Sequence, residues 1–420
     1  MKISLVTSGT RGDVQPMVVL GVELTRRGHD VTLGVPPNLV DLGLRCGLRT
    51  GALGPDTLAF MESPEGQRWL AAGDVKTFMD EMMVVSASVV DRSMREMQEL
   101  TDGAHLVVAG VLFEDFALPA AEALGVPYAS LHSAPYRRTR AFPQFMVTTR
   151  QLPGTLNRAT GALFDRVWWK GVAGETAAFR AHLGLPPDST PTARKLARDG
   201  SLELQAYSPS LVPLLNDYGP SRPLVGLPVP GPVLRRELGD APVDGRLQAW
   251  LAAGEAPVYV GMGSMPVTDP ETMLATVAEV IHRLGVRAVV SAGWSRLAET
   301  ASTEDVVVVG DVDHDVLFPR CRAAVHHGGV GTVTASVSAG LPTMVCSVFA
   351  DQPFWGVRLE KLGVGAHVPF AKLDAARLES GLRRLLDPAT VERAGRLGEQ
   401  LRREPPAVEV AVDRLEWLAG

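Results

Sequence analysis

Residues 325–332 read Val-His-His-Gly-Gly-Val-Gly-Thr; they follow an apolar run, and a helical pattern starts near Thr332. Three glycines in four positions let backbone N–H groups turn inward around an anion. A helix that begins here directs the positive end of its dipole at the same point. A histidine at the end of the strand can add a hydrogen bond to a phosphate oxygen. The stretch therefore predicts a strand–loop–helix unit that binds phosphate, and the plainer alternative is a tight turn with incidental histidines.

The same alternation of strand and helix extends from this loop in both directions. In the C-terminal half, a helix is predicted over 270–284 and strands are predicted at 257–262, 288–291, 306–309, 323–325 and 343–345. In the N-terminal half, helical patterns run from about Pro16 to Gly28 and over 118–124, and strand patterns lie at 3–6, 30–35, 106–111 and 127–131. Strands that alternate with helices predict an α/β fold built on doubly wound parallel sheets.

A break in composition divides the chain. Residues 218–245 are dense in proline and glycine, which the interiors of helices and strands do not tolerate. We therefore expect an N-terminal domain over 1–217, an interdomain linker over 218–245 and a C-terminal domain over 246–402. The remaining residues, 403–420, are predicted to form a final helix with an apolar face.

Composition excludes several classes of protein. Of the 420 residues, 46% are hydrophobic and 21% are charged, which is typical of a soluble globular chain. The net charge of −6 argues against a nucleic-acid partner. The longest apolar stretches fall short of the ~18 residues of a membrane span, and the N-terminus has no signal-peptide pattern. Three scattered cysteines have neither disulfide nor zinc spacing, so a cytoplasmic protein with reduced thiols is expected.

Two further motifs end predicted strands of the C-terminal half. Residues 260–264, Val-Gly-Met-Gly-Ser, place two glycines and the Ser264 hydroxyl where α/β folds bind ligands, which predicts a second contact to phosphate. Asp351 and Gln352 follow another strand, and a carboxylate beside an amide offers acceptors and donors to sugar hydroxyls. The alternative for Asp351 is a helix cap, since Pro353 fits a first helical turn.

Asp13 lies in the first loop, Gly9-Thr-Arg-Gly-Asp-Val-Gln-Pro16, just before the expected first helix. This loop lacks the Gly-x-Gly-x-x-Gly spacing of a dinucleotide site. Two interpretations stay open. Asp13 is either the N-cap of the helix or a general base that faces the cleft between the domains.

Three other stretches carry polar or flexible side chains. Asp313-His314-Asp315 joins no larger ligand cluster, which favours a loop near the ligand over a metal site. Residues 74–100 are rich in methionine, which suits an adaptable apolar pocket or, as we prefer, core packing. The basic run 137–140 is predicted to be a solvated loop. Because none of these stretches forms a cluster of metal ligands, no metal site is expected.

Taken together and in this order, the motifs resemble those of nucleotide-sugar-dependent glycosyltransferases of the GT-B architecture, family 1. The resemblance spans essentially the whole chain and is most specific from Gly310 through the 326–332 loop to Gln352. The opening loop 9–16 is similar to bacterial antibiotic and natural-product glycosyltransferases and to sterol glycosyltransferases. The resemblance implies two Rossmann-like doubly wound domains that face a central cleft, with the final helix packing back on the N-terminal domain.

The resemblance also implies where the substrates bind. The N-terminal domain would hold the acceptor, a bulky and largely apolar aglycone. In the C-terminal domain the glycine loop and a serine would hold the donor diphosphate, a tryptophan and a valine backbone the nucleoside, and an Asp-Gln pair the sugar hydroxyls. The implied donor contacts are Ser264, Trp294, Val312, His326, His327, Gly328, Gly329, Gly331, Thr332, Asp351 and Gln352.

The chain departs from many relatives at its first helix, where Asp13 stands in place of a histidine base. Asp13 matches the carboxylate variant of the family, and a carboxylate with a pKa of about 4 needs a dry site to become an effective base. The implied reaction is an inverting transfer to an acceptor hydroxyl, or less favourably an amine, without a metal. Asp351 and Glu114 are the next candidates for the base.

The sequence leaves the donor series and the assembly open. The donor is TDP- or UDP-linked, no cofactor is expected beyond this co-substrate, and a homodimer stays open. Two alternative functions are kept. One is a nucleotide-sugar epimerase, which would act without an acceptor; the other is a non-catalytic glycosyltransferase-like subunit that activates a true enzyme. Intact motifs in both domains count against such a subunit.

Overall fold

A computed structural model of the chain describes residues 1–64, 66, 75–213, 215–262, 269–291, 302–310 and 312–420. Ser264 and Trp294, two of the implied donor contacts, lie outside these residues. The described residues form two compact units, Met1–Leu238 with Pro405–Gly420, and Gly239–Glu404.

Each unit contains a parallel sheet with six described strands. In the first unit the strands are β1 Lys2–Val6, β2 Asp30–Val35, β3 Arg49–Ala52, β4 Leu106–Gly110, β5 Tyr128–His132 and β6 Leu202–Gln205. In the second they are β7 Val258–Gly261, β8 Ala288–Ser291, β9 Val306–Val309, β10 Ala323–His326, β11 Thr343–Ser347 and β12 Gly365–Pro369. Helices cover both faces of a parallel sheet, so its strands read as continuous apolar runs. For that reason the predicted bounds of β2, β8 and β9 agree with the observed ones.

The helices are numbered in chain order, like the strands. They are α1 Arg11–Arg26, α2 Val40–Arg45, α3 Thr57–Glu62, α4 Val75–Thr101, α5 Glu114–Leu124, α6 Gly154–His182, α7 Thr192–Asp199, α8 Pro232–Glu237, α9 Gly245–Ala252, α10 Pro270–Leu284, α11 His314–Leu317, α12 Val330–Ser338, α13 Gln352–Leu362, α14 Ala375–Leu385, α15 Pro388–Arg402 and α16 Ala407–Ala419.

The strand order reverses once in each sheet. The first sheet has the order β3-β2-β1-β4-β5-β6 and the second β12-β11-β10-β7-β8-β9. At the two reversals Val6 of β1 pairs with Ala109 of β4, and His326 of β10 pairs with Gly261 of β7. Doubly wound sheets bind ligands outside the carboxyl ends of the strands at such a reversal. The predicted fold class, α/β with two Rossmann-like parallel sheets, is confirmed.

Helix α1 begins at Arg11, five positions before the start predicted at Pro16. Its first turn is set by Thr10, the N-cap, whose side chain accepts a hydrogen bond from Gly12 N–H. Pro16 lies inside the helix rather than at its first position. The carbonyl that the proline leaves unpaired is that of Gly12, in the exposed first turn, so the helix tolerates it.

The last helix, α16, packs on α1 within the first unit. Its inner face buries Ala411, Val412 and Leu415. At the rim, Arg27 forms ion pairs with Asp413 at 2.6 Å and with Glu416 at 2.8 Å. The chain therefore ends on the unit where it begins.

Two methionines of α4 pack in the core of the first unit. Met94 and Met97 are buried in a cluster that includes Leu100, Phe113 and Phe179. For these two side chains the structure agrees with core packing rather than with the lining of an open pocket.

Candidate active site

The glycine loop leaves the carboxyl end of β10 at the strand-order reversal of the second unit. β10 ends at His326 and the neighbouring β7 ends at Gly261, which is its partner in the sheet. The chain that leads to Ser264 therefore leaves the same edge of the sheet as the glycine loop. Because Ser264 is outside the described residues, its contact to phosphate stays a prediction.

The loop needs glycine at its first turn. Gly328 has a φ of +96°, and a Cβ added there would lie 2.4 Å from Cγ1 of Val345. It would also lie 3.4 Å from Cβ of Gln352. The glycine loop and the Asp351-Gln352 segment are therefore neighbours at one edge of this sheet.

Helix α12 follows the loop and begins without a side-chain cap. Gly329 is its N-cap residue, and the described first turn contains no acidic side chain. A Cβ added at Gly331 would meet no atom within 4 Å. The first N–H groups of a helix have no partner within the helix itself. The α12 N-terminus thus offers free donors and the positive end of a dipole next to open space.

His326 holds the loop from inside the fold. Its ring is fully buried; Nε2 lies 3.2 Å from Oγ of Ser336, and Nδ1 accepts a hydrogen bond from Gly328 N–H at 3.1 Å. Burial lowers the pKa of His326 well below its ordinary value, so the ring is neutral. Both ring nitrogens are occupied, and the predicted bond from His326 to phosphate would require one of these contacts to break.

His327 differs from His326 in having a nitrogen without a partner. Among the described residues, its Nδ1 is one of a few buried side-chain atoms that make no hydrogen bond. Its Nε2 lies 2.6 Å from the point where a Cβ of Gly329 would stand. Burial lowers the pKa of His327 to about 4, which keeps this ring neutral at pH 7. An unpaired buried nitrogen is costly, and such an atom at a loop edge suits a ligand contact.

Asp351 and Gln352 form the turn between β11 and α13. Oδ2 of Asp351 accepts a hydrogen bond from Nε1 of Trp355 at 2.7 Å, and the side chain makes no cap bond to the helix. Gln352 is buried, and its Oε1 accepts the N–H groups of Val348 at 2.8 Å and Phe349 at 3.2 Å. The residue before them, Ala350, has a φ of +54°. Strained backbone of this kind is concentrated at functional sites.

The segment 312–318 is built around ring stacking and a helix cap. Val312 packs against the core of the second unit, and Asp313 caps α11 through a 2.9 Å bond from Asp315 N–H. His314 stacks on Phe318, with ring centroids 4.5 Å apart, and its Nε2 lies 2.9 Å from the Tyr259 hydroxyl. The side chains of Asp313 and His314 therefore have structural partners, and Asp315 contributes its backbone N–H to the cap.

Asp13 lies at the corresponding edge of the first unit, in the first turn of α1. Its Oδ2 accepts a hydrogen bond from Thr10 N–H at 2.9 Å, which makes it the third helical residue of a capping box rather than the N-cap. Gly9 has a φ of +112°, and a Cβ there would come within 2.2 Å of this oxygen. Burial raises the pKa of Asp13 to about 6, against the opposing effect of the bonds from Thr10.

Glu114, an alternative candidate for the base, is held in an ion pair. Both of its carboxylate oxygens lie 2.7 Å from Arg137, and Oε1 lies 2.7 Å from Nε2 of His132. Burial on its own would raise the pKa of Glu114, but the charges of Arg137 and His132 outweigh it and lower the pKa to about 2. A carboxylate this acidic and this fully engaged is a poor proton acceptor.

Comparison with known proteins identifies the family. Two family models match, the glycosyltransferase family 28 N-terminal domain over residues 3–68 and the erythromycin biosynthesis protein CIII-like C-terminal domain over residues 271–417. An uncharacterized glycosyltransferase of Mycobacterium leprae (strain TN) is 35% identical over 421 residues, covering 99% of this chain and 96% of that protein. The chain is a glycosyltransferase.

Two further comparisons extend the likeness to a curated relative and to a solved structure. A sterol 3-beta-glucosyltransferase of Arabidopsis thaliana is 30% identical over 420 residues, covering 96% of this chain and 63% of that protein. The solved structure of the glycosyltransferase VinC in complex with dTDP matches with a TM-score of 0.68 at 19% identity, covering 100% of this chain and 99% of that one. The predicted GT-B fold and the expectation of a transferase are confirmed. Neither the epimerase nor the non-catalytic subunit gains support.

Sequence reasoning missed one polar centre of the glycosyltransferase. Arg137, predicted to lie in a solvated loop, is 8% exposed and pairs with both Glu114 and Glu203. Among the described residues, the carboxylates of Glu114 and Glu203 with His132 are the one group whose spacing resembles metal ligands, and Arg137 bonds both carboxylates. The local signal for this centre is weak, because β6 reads Leu-Glu-Leu-Gln, an alternation that is typical of a half-exposed strand.

Proposed function

We propose that this glycosyltransferase moves a sugar from a TDP- or UDP-linked donor to a hydroxyl of a bulky, largely apolar natural-product aglycone. Three likenesses support the proposal: the erythromycin-type family model, a sterol glucosyltransferase among the relatives and a solved neighbour with dTDP. The first points to antibiotic or secondary metabolism, the second to an apolar acceptor and the third to a thymidine nucleotide.

The uncapped N-terminus of α12 carries this proposal. The first-turn N–H groups of α12 follow the loop at the strand-order reversal, and the ring of His327, whose Nδ1 has no partner, lies against the N-cap residue Gly329. A diphosphate would satisfy these donors and complement the helix dipole. We assign His327, Gly329, Gly331 and Thr332 to direct contact with the diphosphate. Because both ring nitrogens of His326 are engaged, we assign it the positioning of Gly328.

The rest of the donor is assigned to the neighbouring loops. Asp351 and Gln352 would meet the sugar hydroxyls, since they lie beside the glycine loop and follow a strained residue. The backbone of Val312 would meet the base. Ser264 and Trp294 keep their predicted roles at the diphosphate and the nucleoside.

The proposed reaction is one in-line displacement with inversion at the anomeric carbon. The acceptor oxygen forms a bond to this carbon as its proton passes to the carboxylate of Asp13. The bond from the anomeric carbon to the diphosphate oxygen breaks, and the nucleoside diphosphate leaves with the electron pair. The α12 N-terminus stabilises the charge that develops on the leaving group. The raised pKa of Asp13 suits this role, because a base with a pKa near the working pH is most effective.

Calorimetric titration of the protein with TDP and with UDP in EDTA tests the donor site. We expect micromolar binding of at least one nucleotide, and the preferred one names the donor series to screen with acceptors. Binding that is absent for both in EDTA but restored by Mg²⁺ would overturn the metal-independent site. Absence of binding under both conditions would overturn the donor site as a whole.

A further inference from the structure

Helix α6 has one face packed on the first unit and an opposite face turned to solvent. The packed face buries Asn157, Gly161, Thr176, Phe179 and Arg180, and the helix contacts α4, α5 and the segment 138–140. Trp168 anchors the middle of the helix through a 2.9 Å bond from its Nε1 to Asp115. A surface helix of this kind ordinarily presents charged and polar side chains on its outer face.

The outer face of α6 is apolar instead. Leu156, Leu163 and Val167 are 52%, 53% and 51% exposed, among the most exposed large apolar side chains of the described residues. At about 100° per residue, their spacing places all three within an arc of roughly 40°. Exposed alanines extend this face: Ala159 lies between Leu156 and Leu163, and Ala177, Ala178 and Ala181 continue it toward the C-terminus. Single exposed apolar residues are common on proteins, but an aligned row marks a surface that binds something.

The exposed charges of α6 all have one sign. Arg158, Arg166 and Lys170 are exposed. Lys170 lies within about 40° of the centre of the apolar row, and Arg166 lies about 80° away on the same side. The acidic residue in this part of the helix, Asp165, has a side chain only 10% exposed and pairs with Arg138. A chain with a net charge of −6 thus presents a cationic, apolar strip at this helix.

We propose that the outer face of α6 docks on an anionic lipid surface. Leucine and valine side chains would enter the boundary between head groups and acyl chains, while Arg166 and Lys170 would remain at the level of the head groups. Charge complementarity favours lipid, since the cations have no exposed acidic neighbours on α6. No helix among the described residues is long and apolar enough to cross a membrane.

Docking through α6 would also orient the sheet edge that carries Asp13. Gly154 and Gly161, near the start of α6, pack against Arg140 and Arg138, in the segment that follows the carboxyl end of β5. The carboxyl ends of β1 and β5 lie on the same edge of this parallel sheet. An amphiphilic acceptor held in the lipid would reach this edge; only this consequence rests on the proposed function.

Vesicle flotation of the full chain tests the docking without any transferase assay. We expect flotation with phosphatidylcholine vesicles that contain about 30% phosphatidylglycerol, at about 0.1 M salt, and much less with pure phosphatidylcholine or at about 0.5 M salt. The variant Leu163→Glu/Val167→Glu should no longer float. Arg166→Gln/Lys170→Gln should lower the partition coefficient about fivefold for each cation removed.

A matched control uses two exposed apolar residues of the same unit that lie outside α6. Val233 and Trp417 are 66% and 79% exposed, and Val233→Glu/Trp417→Glu should float like the unmodified chain. Unchanged thermal melting of each variant shows that the fold is intact. Flotation that survives Leu163→Glu/Val167→Glu, or a wild type that does not float, overturns the proposal. Self-association that this variant abolishes in a chain that does not float would assign the face to a second copy.

Discussion

The carboxylate of Asp13 accepts a 2.9 Å hydrogen bond from the backbone N–H of Thr10, in the partly buried first turn of α1. Burial raises the pKa of Asp13 and the bond lowers it, and the balance is a pKa of about 6. The capping box and the proposed base are thus the same side chain. The hydrogen bonds that fix the start of α1 therefore also affect the pKa of the proposed base.

The first prediction concerns the pH profile of transfer. With the preferred nucleotide sugar and an aglycone acceptor, kcat/KM should fall below an apparent pKa of about 6, because protonated Asp13 cannot accept the acceptor proton. Asp13→Asn should lower kcat about 10²- to 10⁴-fold and leave nucleotide affinity unchanged. Full turnover by this variant would contradict the assignment of the base.

The second prediction concerns stability. The folded chain binds the Asp13 proton at a pKa of about 6 and the unfolded chain at about 3.9, so ionised Asp13 destabilises the fold above pH 6. Asp13→Asn keeps an acceptor for Thr10 N–H and should be more stable than wild type by about 1–2 kcal/mol at pH 8. The gain should fade as the pH falls toward 4. Urea unfolding at pH 8 and pH 4 measures this difference in unfolding free energy. A gain that is the same at both pH values would exclude the ionisation of Asp13 as its cause.

The third prediction separates two glycines of one loop. Gly328→Ala should destabilise the protein by about 1–3 kcal/mol because of its positive φ and the contact with Val345. Gly331→Ala meets no neighbouring atom, so its melting temperature should be unchanged or higher. Its methyl group would nevertheless crowd the proposed diphosphate site and lower nucleotide affinity tenfold or more.

Gly395→Ala is the matched control for Gly331→Ala. Gly395 is likewise a helical glycine of the second unit where an added Cβ would meet no atom within 4 Å, and it lies in α15, away from the glycine loop in sequence. Both variants should melt alike, and only Gly331→Ala should bind nucleotide weakly. Equal nucleotide affinity in the two variants would show that the diphosphate does not lie at the start of α12.

The fourth prediction assigns different roles to the adjacent histidines. His326→Ala removes a partner from Gly328 N–H and from Ser336, and should cost about 2–3 kcal/mol of unfolding free energy. His327→Ala breaks no bond of Nδ1 and should change stability by less than about 1 kcal/mol, while nucleotide affinity falls about tenfold. Chemical denaturation measures the stability of each variant, and calorimetric titration measures its nucleotide affinity. A larger loss of affinity in His326→Ala than in His327→Ala would indicate that His326 contacts the diphosphate directly.

The sequence predicts those parts of the fold whose signal is local. Strands 288–291 and 306–309 and helix 270–284 agree with the structure, because their apolar pattern and caps lie within them. The start of α1 differs from its predicted position because two local signals compete: Thr10 and Asp13 have the spacing of a capping box, whereas Pro16 is typical of a first turn. The two roles of the histidines are not accessible from sequence, because Ser336 becomes a partner of His326 only in the folded chain.

The partners of Arg137 also could not be predicted from the sequence, because they lie farther away along the chain. Its partners Glu114 and Glu203 are 23 and 66 residues away, and nothing in the run 137–140 distinguishes the residue that folds inward. In the sequence, Glu114 is followed by another acid, Asp115, and Glu203 alternates with leucines, so neither residue points to a buried partner. Their pairing follows from the sheet, because Glu203 lies in β6 next to the strand that leads to Arg137.

The fifth prediction tests this buried pair. Arg137→Met leaves two buried carboxylates without their shared cation and should cost about 3–5 kcal/mol at pH 8. In the wild type the lowered pKa of Glu114 contributes stability above the unfolded pKa that is lost as the pH falls toward 2. In Arg137→Met the carboxylates can be protonated, so the loss of unfolding free energy in this variant should be smaller at pH 5.

Arg138→Met is the control: Arg138 is 34% exposed, and its loss should cost less than about 1 kcal/mol at either pH. Equal costs for the two variants would mean that Arg137 is no more important to the fold than a surface arginine.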